Sequence, residues 1–347
     1  MRSFSIGKHT ISPNLLLAPM SGVTNSAFRR LIKRENPDSV GLMVTEFISV
    51  EAMTRNNPRS LEMMKFYEEE RPISIQIFGY DIDRMVDAAQ MVEEAGADIV
   101  DINCGCPVPK VVRRGGGCEL MRQEQHLEKI LTAVRKSVSI PLTLKIRAGW
   151  DDDSRNAVAI AKMAENSGVE MLTVHGRTRV QLYRGLADWD FINEVARSVK
   201  IPVIGSGDIV DQESAQRQQT TDVAGLMIGR GALSNPWIFS DICAGVSDTG
   251  AADRKLETEI PRVMRSYRDL LGEIMPDKGT IGKLKQFASQ SVRGLPGASY
   301  ARRSICLSQT VDELMMNVAR WEAYLNEGAE SSLYGANSEE LFVPQEI

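Results

Sequence analysis

At 347 residues the chain exceeds what one hydrophobic core usually organises, so a large domain with a smaller one is the starting expectation. Its 43% apolar and 25% charged residues suit an ordinary soluble fold, and a net charge of -5 excludes nucleic-acid binding driven by global charge. Five cysteines, sparse and odd in number, argue against a disulfide scaffold and suit a reducing compartment. No apolar run reaches the roughly eighteen residues of a membrane helix, and the opening segment lacks a signal-peptide core, so a cytoplasmic protein is expected.

Along the chain, short apolar β-rich runs recur at 15–20 (LLLAPM), 42–47 (LMVTEF), 73–78 (ISIQIF) and 98–105 (DIVDINCG). They continue at 142–147 (LTLKIR), 171–176 (MLTVHG), 202–207 (PVIGSG) and 225–230 (GLMIGR). Runs of this length without strict alternation read as parallel strands buried on both faces. Amphipathic stretches such as DRMVDAAQMVEEAG and SRNAVAIAKMAENSG lie between them, each ending in the Gly that usually follows a helix C-terminus. A weak repeat supports this phase, since EEAGADIVDINCG and AENSGVEMLTVHG place Asn103 and His175 at equal distances after that Gly. Eight such units over about 230 residues predict a (β/α)8 TIM barrel, with a doubly wound open sheet as the rival. The predicted barrel spans 1–242, residues 243–254 read as a linker, and 255–326 form a smaller all-α C-terminal domain interrupted by the turn RGLPGA. Residues 327–347 read as a polar tail.

In such a barrel the chemistry sits at the C-terminal ends of the strands. The polar and special residues there are Pro19 and Met20, Glu46, Gln76, Asn103 and Cys106, Lys145 and Arg147, His175, Ser206 and Gly207, and Gly229 and Arg230. Each alone has a structural explanation; their shared placement points to a site. The loops after the last two strands commonly bind phosphate through backbone N–H groups, and Gly205, Gly207, Gly229 and Gly231 would let an anion approach while Arg230 adds a charge. Three cysteines crowd DINCGCPVPKVVRRGGGCELM, but C-x-C followed by eleven residues to Cys118 is not zinc-ligand spacing, so no metal is expected. Cys106, between Gly105 and Pro107, is the working thiol: at an ordinary pKa of about 8.5 it is mostly protonated and able to act as a general acid. Cys104 and Cys118 read as bystanders, and Gly115–Gly117 as a flexible loop.

The segments APMSGVTNSAFRRLI, SIQIFG, DINCGCPVPKV, TLKIRAGW, VHGRTR, GSGDI and GLMIGRGALSNPWIF, in this order, resemble the bacterial tRNA-dihydrouridine synthase family over about residues 10 to 325. The resemblance implies an enzyme in which NADPH, or NADH, reduces FMN, the flavin gives hydride to C6 of a uracil in tRNA, and Cys106 protonates C5. It further implies that Pro19 and Met20 pack against the flavin and that Gln76, Lys145 and His175 contact it. Gly207, Gly229 and Arg230 would hold its phosphate beside Ser206, which stands where the family usually has Asn. Asn103 would orient the base, with Arg177 of VHGRTR also on the substrate side. Because the base must leave its stack to reach a barrel mouth, a flipped nucleotide is expected. Between Lys278 and Arg303 lie six basic residues and no acidic one, so Lys283 and Lys285 are expected to meet tRNA phosphates. A monomer without protein partner is expected. The alternatives are a flavin barrel reducing a small pyrimidine or enone, and an RNA-binding module that has lost catalysis.

Overall fold

All eight apolar runs become parallel strands in the computed structural model, which describes residues 2–219, 221–245 and 256–327. In chain order the strands are β1 (Phe4–Ile6), β2 (His9–Ile11), β3 (Leu15–Leu17), β4 (Leu42–Val44), β5 (Ile48–Ser49) and β6 (Ile73–Phe78). They continue with β7 (Ile99–Cys104), β8 (Leu142–Arg147), β9 (Met171–His175), β10 (Val203–Ser206) and β11 (Gly225–Ile228). Eight of them pair in the order β4-β3-β11-β10-β9-β8-β7-β6, and β6 pairs again with β4, which closes the barrel and rules out the open sheet. The two-residue β5 continues alongside β6 with Ile48 opposite Ile77.

The helices between strands start and stop as local chemistry dictates. Asp81 caps Ile82–Glu94 by accepting from the Arg84 N–H, and Asp188 caps Trp189–Arg197 by accepting from that of Phe191. Gly96 and Gly168 follow their helices at φ +79° and +85°, a left-handed region where a side chain is strained. The short connection before β11 holds a single eight-residue helix, Gln212–Gln219.

Sequence periodicity gave no sign of the antiparallel hairpin β1–β2, whose strands are only three residues each. Its Ile6 and Ile11 are fully buried in one cluster with Leu42, Ile99, Met171 and Ile204, residues at or near the starts of their strands. The hairpin therefore stoppers the N-terminal end of the barrel. At the other end no such plug exists among the described residues, and a cleft opens there.

The chain divides into two compact units, 1–246 and 247–347. Within the second, four helices (Leu256–Ile274, Asp277–Ser291, Ala298–Leu307 and Val311–Glu327) are described. They pack around Trp321, whose indole N–H donates to the Pro296 carbonyl at 2.9 Å. The RGLPGA segment forms the expected turn, where Gly297 lies at φ +67° and a Cβ would come within 2.7 Å of the Tyr324 ring. Most of the expected linker and nearly all of the expected tail lie outside the described residues. No described helix is long and apolar enough to cross a membrane.

Candidate active site

The cleft at the C-terminal ends of the strands is lined by Pro19 and Met20 after β3, Lys145 on β8, His175 at the end of β9, Ser206 and Gly207 at the end of β10, and Gly229 and Arg230 after β11. Eight of the residues expected from the sequence thus meet in one place. The register explains how: Lys145 lies opposite Thr173 and Ser206 opposite His175, so period-two alternation brings chosen residues of neighbouring strands onto one face.

The cleft is cationic. Burial pulls the Lys145 ammonium down to about 8, with the Arg147 charge adding to the effect and Asp101 opposing it. Burial, reinforced by the charges of Arg147, Lys145, Arg177 and Arg230, holds His175 well below its ordinary value, so its imidazole is neutral near pH 7. Arg230 is more than half exposed and sits 4.7 Å over the Tyr183 ring.

The glycines divide into two kinds. A Cβ on Gly205 would strike the Trp189 ring at 2.3 Å and one on Gly231 would strike the Ile209 carbonyl oxygen at 2.6 Å, so packing, rather than an anion, demands these two. Gly229 has no neighbour closer than 3.5 Å, and a side chain there would occupy the cleft itself. Gly207 adopts φ +134°, with Ala187 2.5 Å from an added Cβ. Among the described residues no backbone acceptor is found for the N–H groups of Gly229 and Arg230.

Cys106, on the loop after β7, is only 6% exposed and does not itself line the cleft; Arg147, which donates to the Gly105 carbonyl, lies 5.7 Å from the ring of Tyr183, which does. Burial pushes its thiol up from the ordinary range, against the opposing effects of a Val108 backbone hydrogen bond and the Arg147 charge. The loop is held on both sides. Asn103 Oδ1 accepts from the N–H groups of Gly105 (3.2 Å) and Cys106 (3.0 Å), while the Cys106 carbonyl accepts from the Cys118 N–H at 3.1 Å and the Gly105 carbonyl from Arg147 Nε at 2.9 Å. Gly115–Gly117, expected to loosen this loop, instead allow close packing: a Cβ on Gly115 would meet the Tyr80 ring at 2.4 Å and one on Gly117 the Cys106 carbonyl oxygen at 2.5 Å. All three thiols here are free and buried, and burial pushes Cys118 up to about 12.

Other sequence expectations are revised. Arg177, expected on the substrate side, is fully engaged inside the protein: it grips both oxygens of Asp208 at 2.7 Å and donates to the carbonyls of Arg184 and Gly185. It is 2% exposed, and its Nη1 lies 3.4 Å from Nε2 of the cleft residue His175. Gln76 and Asn103 do not line the cleft; Gln76 Nε2 donates to Asp101 at 2.5 Å and its Oε1 accepts from Asn103 Nδ2 at 2.8 Å. Asp208 and Tyr183 line the cleft without having been singled out. Asp208 follows the GSG of β10 and could have been found as the polar residue that closes that run; Tyr183, in the loop after β9, carried no local signal. In the second unit Lys278, Arg293, Arg302 and Arg303 are exposed, whereas Lys283 and Lys285 are half-buried and, two apart on one helix, do not share a face.

A family profile described as "Dihydrouridine synthase" matches residues 16–327. A protein of Rickettsia conorii named "Probable tRNA-dihydrouridine synthase" is 46% identical over 239 residues, covering 68% of this chain and 71% of its own. "tRNA-dihydrouridine synthase B" of Pseudomonas syringae pv. tomato is 38% identical over 299 residues, covering 86% and 88%. Among solved structures, morphinone reductase in complex with tetrahydroNAD aligns with a TM-score of 0.51 at 14% identity, covering 71% of this chain and 90% of its own. A complex of 2-naphthoyl-CoA reductase aligns with the same TM-score at 15% identity, covering 70% and 51%. These two likenesses concern the fold alone. The family match extends over the barrel strands, the Cys106 loop and the helices of the second unit, and with it the chain belongs to the dihydrouridine synthase family.

Proposed function

We propose that this chain is an FMN-dependent tRNA-dihydrouridine synthase that reduces the C5–C6 bond of uridine, with Cys106 as general acid. The observation that carries the reading is a cationic cleft at the strand ends together with a thiol kept protonated by burial, on a loop tied through Arg147 to the cleft residue Tyr183. The names of the relatives, with which the chain shares 38% to 46% identity, support uridine in tRNA as the substrate.

The residues present fit FMN. Pro19 and Met20 offer an apolar wall for a ring system, and the N–H groups of Gly207, Gly229 and Arg230, with the Arg230 guanidinium, suit a phosphate. When bound and reduced by NADPH or NADH, flavin would supply the hydride that adds to C6. Lys145, in its protonated form, stabilises negative charge that develops in the cleft, and neutral His175 donates a hydrogen bond without adding a charge. Cys106 delivers the proton to C5, leaving a thiolate that the nearby Arg147 charge favours before reprotonation. Asn103 acts by holding the Cys106 loop, and Gln76 by holding Asn103.

In this reading residues 1–242 form the catalytic barrel, and 255–326 a tRNA-binding domain whose exposed Lys278, Arg293, Arg302 and Arg303 meet phosphates together with Lys283 and Lys285. The enzyme works as a monomer in the cytoplasm. Visible absorption of the purified protein tests the reading. A flavin band is expected that bleaches with NADPH and recovers on adding tRNA from a strain lacking dihydrouridine. No band after reconstitution with FMN, or no recovery with that tRNA, would overturn it.

A further inference from the structure

We propose that Asp101 is a positioning residue: it sets the polarity of a buried hydrogen-bond relay, Asp101–Gln76–Asn103, that fixes the loop carrying Cys106. The catalytic consequence rests on Cys106 as proton donor; the relay itself does not.

Asp101 sits in the middle of β7, 4% exposed, opposite Gln76 on one side and Thr143 on the other. Its carboxylate accepts from Thr143 Oγ1 at 2.6 Å and from Gln76 Nε2 at 2.5 Å. A carboxylate can only accept, so Gln76 must turn its amide nitrogen toward it. That leaves Gln76 Oε1 to face Asn103, which must answer with Nδ2 at 2.8 Å. Asn103 is then left with Oδ1 for the loop, and both loop partners, the N–H groups of Gly105 and Cys106, are donors.

Every link depends on the one before it. An amide has a donor end and an acceptor end, so a chain of amides alone has two equivalent directions; an acceptor-only group at one end removes that freedom. An asparagine at 101 could donate to Gln76, turn Gln76 round, and oblige Asn103 to present Nδ2 to two N–H groups. Donor would then face donor, and the loop would lose its N-side attachment. Burial works against the Asp101 charge and raises its pKa, while the bonds from Gln76 and Thr143 and the Lys145 charge oppose that. A buried carboxylate held against that cost does something an amide cannot.

Alkylation of Cys106 by iodoacetamide in the full-length protein, read on its peptide by mass spectrometry, reports on the loop directly. Asp101→Asn is expected to raise the rate about ten-fold and to lower kcat by a similar factor while KM for tRNA moves by less than about two-fold. The double variant Asp101→Asn, Asn103→Asp moves the carboxylate along the relay and gives the loop an acceptor again; its alkylation rate is expected to return to that of the parent protein. An unchanged rate in the single variant, or no recovery in the double, would overturn the relay. Should Asp101→Asn not fold, Thr143→Val removes a bond that favours the charged form of Asp101, so that a protonated carboxyl can donate to Gln76 as an asparagine would; the rate is expected to shift about three-fold in the same direction, most clearly at low pH, and no shift there overturns the relay equally. Persistent turnover in Cys106→Ala would remove the proton-donor reading and leave the alkylation result intact.

Discussion

The two ends of the barrel are built from the same strands and do opposite things. At the N-terminal end, Ile6 and Ile11 of the hairpin fill the opening against Leu42, Ile99, Met171 and Ile204. At the C-terminal end, Lys145, His175, Arg230, Gly207 and Gly229 surround an open cleft. Between them lies the Gln76–Asp101–Thr143 row, polar but fully buried and hydrogen-bonded. Apolar burial at one end stabilises the scaffold, and charges concentrated at the other cost stability through desolvation while supplying the chemistry. The segregation has a practical consequence: damage at each end should be read by a different assay.

The largest effect belongs to the open end. Cys106→Ala is expected to lower dihydrouridine formation by 10²–10⁴-fold, the usual contribution of a general acid, while the folding free energy changes by only about 1 kcal/mol because one sulfur is lost from a loop. Single-turnover rates and denaturant melting of the same preparation check both halves; a large loss of stability would blur the comparison between the ends. The closed end should give the mirror result. Ile6→Ala leaves a cavity in a fully buried cluster and is expected to cost about 2–4 kcal/mol in the melting of the barrel, with flavin affinity unaltered. Loss of flavin affinity in step with stability would mean that the hairpin shapes the cleft after all.

How far the sequence foretold this division differs between the ends. The cleft was legible because its residues close apolar runs at equal phase: Lys145, His175 and Gly207 each sit where a parallel strand ends, and strand order does the rest. The stopper was not legible, since FSI and HTI are too short for periodicity to register and what buries them is distant in sequence. Side-chain pairing was the other blind spot. Arg177 looked like a substrate contact because a strand-end arginine in VHGRTR gives no hint that Asp208, thirty-one residues later, will take its guanidinium. The fully buried Arg29–Glu70 ion pair and the Asp101–Gln76–Asn103 chain are of the same kind, with partners chosen by the fold across twenty-five residues or more. The glycines failed more subtly: Gly205 and Gly231 carry the composition of an anion cradle but serve Trp189 and the Ile209 carbonyl.

The smallest effect expected is also the one that tests the cationic cleft most directly. In the free protein burial and Arg147 lower Lys145 to about 8, so above that pH the lysine is largely neutral. An anionic ligand favours the protonated form and raises the pKa again, so binding above pH 8 must take up a proton. The sign follows: FMN affinity should be flat below about pH 8 and weaken above it by up to one decade per pH unit, until the pKa of the bound state is reached. Isothermal titration at several pH values, in buffers of different ionisation enthalpy, measures both the slope and the proton uptake. Lys145→Met should bind more weakly at pH 7 and lose the slope; Ile6→Ala, altered at the other end of the same barrel, should keep it. A slope that survives in Lys145→Met would move the titrating group elsewhere. His175 is a poor candidate for that group, because burial, reinforced by the surrounding cationic side chains, already holds it neutral throughout this range.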